Sequence, residues 1–112
     1  MLDPVHIDAL TKGGWTDLPF APFRPGIDIS WLQKGEPGIA VLRYQAGAEV
    51  PLHAHPDTET ILVLEGEQSD ERGTYSAGDL VINPKGSQHR VWSDSGCVVL
   101  LCWTKPVVFI EA

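Results

Sequence analysis

The chain has 112 residues, with 8 basic and 15 acidic side chains and a formal net charge of −7. This length predicts one domain, and a hydrophobic content of 43% is typical of a folded globular chain rather than a disordered one. The acidic balance and the scattered basic residues argue against nucleic acid and against an anionic membrane surface as direct partners.

The chain contains no segment typical of a membrane span or a secretion signal. Its longest uncharged stretch has ten residues, 95–104, where a membrane helix needs about 20. The N-terminus lacks the basic and apolar regions of a signal peptide. Cys97 and Cys102 lie in one apolar run, and on an extended strand they would point to opposite faces, beyond disulfide reach. We therefore expect reduced thiols and a cytoplasmic location.

Turn residues divide the chain into short strand-like runs. Residues 1–25, rich in proline, tryptophan and phenylalanine, predict an N-terminal arm with room for only a short helix, and residues 26–112 predict a barrel domain. Turn residues, Gly66 among them, separate runs of β-branched, aromatic and aliphatic residues at 27–32, 39–44, 58–64, 73–77, 80–82, 89–92, 97–103 and 107–110. Such spacing is typical of an all-β sandwich or barrel.

Three of the four histidines fall in two clusters. His53 and His55 are two residues apart, so on a strand their rings project to the same face. Glu59 keeps the same parity, although Pro56 interrupts the strand between them. Further along, an Asn-Pro-Lys-Gly turn delivers His89 at the head of another strand.

Imidazole nitrogens and one carboxylate form a donor set that suits one divalent transition metal per chain. Zinc and iron are the first expectations, and manganese, nickel and cobalt accept the same ligands. Neutral imidazole offers a lone pair at pH 7, and the carboxylate offsets part of the metal's charge. We expect apolar walls beside this site from Ile61, Val63, Leu80 and Ile82.

These clusters resemble the two motifs of the cupin superfamily. The first, G-x5-H-x-H-x3-E-x6-G, is filled by Gly47, His53, His55, Glu59 and Gly66. The second, G-x5-P-x-G-x2-H-x3-N, is filled by Gly78, Pro84, Gly86 and His89, with Ser93 in place of the final Asn. The resemblance implies a single-domain cupin double-stranded β-helix, or jelly-roll barrel, with a metal held by three histidines. Because the carboxylate binds the metal in only some cupins, both roles stay open for Glu59.

A longer similarity, over roughly residues 23–104, is to the cupin domain of ChrR-type anti-sigma factors. In that family a separate zinc-binding domain grips the sigma factor. This sequence shows no such His/Cys cluster upstream, so sigma-factor contact is doubtful. The resemblance implies a regulatory barrel that senses a small molecule. Related cupins include non-haem Fe(II) dioxygenases that cleave β-diketones or acyl-phenols, and such an enzyme is the alternative function. A barrel in which the metal is purely structural is the third possibility.

The coordination number of the metal would distinguish these functions, but zinc and iron accept the same side chains. Three histidines and a glutamate fill the shell of tetrahedral zinc, whereas six-coordinate iron keeps two positions for oxygen and substrate. Catalytic residues therefore stay unassigned.

Other residues give weaker signals. Either Arg43 or Tyr44 should face the barrel cavity by alternation. The acidic run 69–73 is typical of a hairpin turn rather than a site, and His6 of an ordinary surface residue. The tryptophans at 31, 92 and 103 are expected mainly in packing. A free sheet edge and the apolar arm residues 15–23 predict a homodimer.

Overall fold

A computed structural model describes residues 2–110, which form two antiparallel β-sheets curled into a jelly-roll barrel. A 3₁₀ turn at Leu10–Lys12 precedes ten strands: β1 (Ala21–Arg24), β2 (Ile27–Gln33), β3 (Gly38–Tyr44), β4 (Glu49–Ala54), β5 (Glu59–Asp70), β6 (Gly73–Ser76), β7 (Leu80–Asn83), β8 (Gln88–Trp92), β9 (Cys97–Trp103) and β10 (Val108–Phe109). The prediction of an all-β fold is confirmed. No helix within residues 2–110 is long and apolar enough to cross a membrane.

Strand β5 belongs to both sheets. Its first part pairs with β9 and β7 in the first sheet, which continues through β3 and β2 to β1. Its last part pairs with β6 and β8 in the second sheet, which continues through β4 to β10. Gly66, with φ of +71°, lies where the strand passes from one sheet to the other. The turn expected at Gly66 is therefore wrong, because the residue bends a continuous strand instead of ending it.

Alternating side chains of the first sheet fill the barrel interior. On the edge strand β7, the residues that face inward differ from those predicted. Ile61 and Val63 are buried in the core, as expected, but Leu80 and Ile82 are each 59% exposed. Val81 lies opposite Ile61 in the β5–β7 register and packs against the core. Directly paired residues share a face of the sheet, so Val81 points inward and its two neighbours point outward.

The N-terminal segment covers the outer face of the first sheet. Val41, Leu64 and Val98 form an outer apolar cluster, against which pack Leu10, Trp15, Leu18 and Phe20. The guanidinium of Arg43 lies 4.1 Å from the centre of the Phe20 ring. Trp15, Leu18 and Phe20 belong to the segment 15–23 for which a dimer contact is predicted, and they pack on their own barrel.

The two cysteines lie on opposite sides of the first sheet. Cys97 belongs to the inner core and Cys102 is partly exposed, and both are free thiols. The prediction that the two cysteines point to opposite faces of a strand is confirmed.

Candidate metal centre

Three imidazoles converge inside the second sheet. His53 lies on β4 directly opposite His89 on β8, and His55 follows the end of β4. The ring centroids are 4.7 to 5.2 Å apart, and one nitrogen from each ring lies within 4.8 Å of the others. All three side chains are buried. The structure therefore brings together the three histidines that the spacing predicted.

Hydrogen bonds at the outer edge of each ring fix where its proton lies. Nδ1 of His53 is 2.8 Å from the Pro51 carbonyl, and Nδ1 of His55 is 3.1 Å from the Ser87 carbonyl. Nδ1 of His89 is 3.0 Å from a carboxylate oxygen of Asp70. Carbonyl and ionised carboxylate oxygens only accept hydrogen bonds, so each Nδ1 donates. In the neutral rings, each Nε2 then carries a free lone pair.

The inward nitrogens fit a metal ion. Within residues 2–110, Nε2 of His55 and Nε2 of His89 are buried and have no hydrogen-bond partner. Buried polar atoms of this kind are uncommon in folded proteins and call for an explanation such as an ion. Metal-binding histidines usually donate their other ring nitrogen to a carbonyl or carboxylate, as all three rings do here.

Glu59 completes the group at the start of β5. Its Oε1 lies 3.1 Å from Nε2 of His55 and 4.0 Å from Nε2 of His89. The side-chain amide of Asn83, opposite Glu59 in the β5–β7 register, donates to the same oxygen at 3.1 Å. A carboxylate oxygen and an unprotonated imidazole nitrogen are both acceptors, so a cation shared between them relieves their repulsion.

The pKa shifts favour the protonation states that bind metals. Burial lowers the pKa of His53, although the Pro51 carbonyl opposes the shift, so the ring stays neutral at pH 7. Burial alone would raise the pKa of Glu59, but a protonated His55, which would donate a hydrogen bond and carry a positive charge, lowers it. With the rings neutral, a bound cation would supply that positive charge instead. Neutral imidazoles beside an ionised carboxylate are the ligand forms that a divalent ion requires.

Asp70 is a neighbour of the candidate site that the sequence did not indicate. The run 69–73 does form the β5–β6 turn, as expected, but the Asp70 carboxylate points inward to His89. Its other oxygen accepts hydrogen bonds from the Tyr75 hydroxyl at 3.0 Å and from the backbone N–H of Arg72 at 2.9 Å. No motif spacing predicts this contact, because it depends on the path of β5 into the second sheet.

A cavity of about 200 Å³ adjoins the imidazoles. Its walls are mostly apolar, and its polar lining comprises Arg24, Tyr44, His53, Glu59, Gln68 and His89. Of the pair Arg43 and Tyr44, it is Tyr44 that faces the cavity. Trp103 also lines it and contacts the exposed Trp31, with ring centroids 5.6 Å apart. The space beside the site suits a small organic molecule.

The sequence matches the family described as ChrR Cupin-like domain over residues 13–107. The anti-sigma-E factor ChrR of Cereibacter sphaeroides is 30% identical over 96 residues, which is 83% of this chain and 45% of that protein. The chain therefore spans about half the length of this curated relative.

Solved structures share the fold. One match is the crystal structure of Rhodobacter sphaeroides SigE in complex with the anti-sigma factor ChrR. It superposes with a TM-score of 0.72 at 28% identity, over 78% of this chain and 50% of the matched chain. An acetylacetone dioxygenase from Acinetobacter johnsonii superposes with a TM-score of 0.80 at 17% identity, over 99% of this chain and 79% of that one. The second likeness shows the fold alone, and the jelly-roll prediction is confirmed.

Proposed function

This chain belongs to the ChrR cupin-like domain family, and we propose that it is a metal-binding barrel that senses a small molecule in its cavity. The observation that carries the proposal is the set of three buried imidazoles. Each has its Nδ1 proton engaged outside the site, which leaves its Nε2 lone pair for a metal. The regulatory role of the anti-sigma relative supports sensing in preference to catalysis.

One divalent ion per chain would be held by His53, His55 and His89, with Glu59 as the fourth ligand. The nitrogen and carboxylate donors suit zinc or iron. When bound, the ion would supply Lewis acidity to a ligand in the cavity and, as iron, redox chemistry as well. The protein's own residues fix the tautomers of the imidazoles, burial keeps His53 neutral, and apolar walls adjoin the site.

The proposal leaves out the sigma-factor contact of the relative and includes a cellular location for this chain. The sigma-factor contact of ChrR is not carried over, because the chain spans only 45% of that protein. Two free cysteines fit a reducing compartment, and we propose a cytoplasmic location.

A second candidate function is an Fe(II) dioxygenase for a small β-diketone or acyl-phenol. The observation that favours it is the cavity itself, whose apolar walls reach His53, Glu59 and His89. A carbonyl compound that fits this cavity would therefore lie beside the metal ligands.

Oxygen uptake separates the two functions. The iron-loaded protein would be mixed with acetylacetone and with 2-hydroxyacetophenone in air-saturated buffer, and both oxygen and ligand binding would be followed. The sensing proposal expects no oxygen consumption beyond that of a His89→Ala control with either compound. Catalytic oxygen consumption that is lost in this control would overturn sensing in favour of the dioxygenase.

We also propose a homodimer, and of the arm residues 15–23 its contact would use Phe23 rather than Trp15, Leu18 and Phe20, which pack on the barrel. Exposed apolar side chains gather where β1 and β10 approach each other: Phe23 is 42% exposed and Phe109 is 43% exposed. Trp31 lies in the same region and is 38% exposed. Light scattering should give twice the chain mass of 12.2 kDa, and a single species of 12.2 kDa would contradict the dimer.

A further inference from the structure

Arg24 enters the cavity through an irregularity in β1. The β1–β2 register shifts between Pro22 and Arg24. In a regular strand, Phe23 and Arg24 would point to opposite faces, but both line the cavity beside the imidazoles. A bulge of this kind redirects a side chain. The local backbone thus turns a cationic group toward the barrel interior.

The Arg24 guanidinium forms no ion pair in the part of the chain that the structure describes. It lies 4.6 Å from the centre of the Phe109 ring, and its Nε is buried without a hydrogen-bond partner. No carboxylate among residues 2–110 forms an ion pair with it. By contrast, Arg43 on the outer face pairs with Asp28 at 3.1 Å. Arg24 is therefore a half-buried cation whose buried Nε donor lacks an acceptor.

Trp103 provides a second donor of the same kind. Its indole Nε1 is also buried without a partner in the described chain, and the residue lines the same cavity. Both groups can only donate, so a molecule that satisfies them must bring acceptor atoms. Oxygen anions are the strongest acceptors for a guanidinium.

We infer that the cavity binds a small monocarboxylate with an apolar body, whose carboxylate pairs with Arg24. This inference rests on the proposed function, because it names the ligand that the barrel would sense. The apolar walls, which include Leu42, Val91 and Leu101, suit the body of such a ligand. An apolar cavity of about 150 Å³ can hold benzene, so about 200 Å³ suits a ring with one carboxylate.

The position of Arg24 sets the orientation of the ligand. The residue lines the inner cavity and also borders a surface groove with Pro25, Gly47 and Glu49. It therefore lies between the barrel interior and the surface, and the carboxylate would stay near the mouth. The apolar body would then extend toward the imidazoles, which places it beside the metal ligands.

Calorimetric titration of the zinc-loaded protein with benzoate and with benzamide tests this inference. The two probes have nearly the same shape, but only benzoate carries a charge. Wild-type protein should bind benzoate with a dissociation constant at or below about 1 mM and prefer it to benzamide by about tenfold or more. Arg24→Gln should remove the preference, and Arg24→Lys should restore part of it. Arg43→Gln, which removes an arginine on the outer face, should leave the preference unchanged.

The outcomes distinguish this inference from the proposed metal centre. Zinc content and melting temperature would be measured on every sample. If folded Arg24→Gln protein keeps its zinc and its preference for benzoate, the carboxylate is held by another group and the inference is overturned. Failure of wild-type protein to bind benzoate would overturn it as well. If wild-type protein holds no zinc, the metal proposal fails, and the same titrations on metal-free protein still test the role of Arg24.

Discussion

His89 and Asp70 form a buried hydrogen bond that links β8 to the far end of β5. Nδ1 of His89 lies 3.0 Å from Oδ2 of Asp70, and each side chain is 2% exposed. The carboxylate accepts the ring proton, which leaves Nε2 of His89 facing the other two imidazoles. Because Tyr75 and Arg72 hold Asp70 in turn, the β5–β6 hairpin contributes to the geometry of the metal centre.

Replacing Asp70 by asparagine should weaken metal binding without removing the ligands. Asp70→Asn keeps the size of the side chain but removes the charge that fixes the His89 tautomer, so we expect affinity to fall about 10- to 100-fold. Competition with a chromophoric zinc chelator measures the change. Glu71→Gln makes the same charge change at the exposed next residue. Equal losses in the two variants would show that Asp70 acts only through overall charge.

Removing an imidazole should have a larger effect. His53→Ala or His89→Ala should abolish stoichiometric metal binding and lower the melting temperature in excess metal by about 5 °C or more, since metal stabilises only the folded state. His6→Ala, which alters an exposed histidine outside the site, should match wild-type protein. Full metal content and stability in either site variant would contradict the assignment.

Glu59→Gln tests whether the carboxylate is a ligand. Glutamine keeps the shape of the side chain, but it loses the charge that offsets the metal, so we expect binding about tenfold weaker than wild type. This loss is smaller than that in the histidine variants. Glu65→Gln changes an exposed carboxylate on the same strand and serves as the control. Unchanged affinity in Glu59→Gln would mean that only the three imidazoles bind the metal.

The features that could be predicted from the sequence are those that depend on the local residue pattern. The strands over 27–32, 39–44 and 97–103 are confirmed to within one residue, because β-branched and aliphatic residues between glycines and prolines favour extended chain. Alternation also placed His53 and His55 on a common face. Features that depend on register between distant strands were not predictable. Asp70 reaches His89 only because β5 crosses to the second sheet, and Arg24 reaches the cavity only through the bulge in β1.

Because β5 bends at Gly66, we expect a side chain at this position to lower the free energy of unfolding. A Cβ there would lie 2.2 Å from the carbonyl oxygen of Gly96, and the residue has φ of +71°. At Gly78, where φ is +95°, a Cβ would have no atom within 4 Å, so Gly78→Ala should cost only about 1–2 kcal/mol of backbone strain.

Gly66→Ala should therefore lower the free energy of unfolding by about 2 kcal/mol more than Gly78→Ala does. Urea denaturation of both variants measures the difference. Equal losses would show that the strand can shift to admit the methyl group.

The two cysteines should differ in reactivity. Burial raises the pKa of Cys97 to about 11 from an ordinary value of 9.0, so almost none of this thiol is ionised at pH 8. Its raised pKa also means that the stability it contributes falls as pH rises from 9 toward 11, because only the unfolded chain releases the proton.

An aromatic disulfide reagent at pH 8 should modify the partly exposed Cys102 first. Cys102→Ser protein should react only at the rate of unfolding, whereas Cys97→Ser protein should keep the fast phase. Fast reaction of Cys102→Ser would contradict the burial of Cys97.

Metal content is the most direct test of the proposed metal centre. The protein would be purified anaerobically without chelators or a nickel column, and its elements measured alongside the His89→Ala variant. We expect about one zinc or iron per wild-type chain and almost none in the variant. Wild-type protein that contains no transition metal, and retains none after zinc or ferrous iron is added and excess removed, would contradict this expectation.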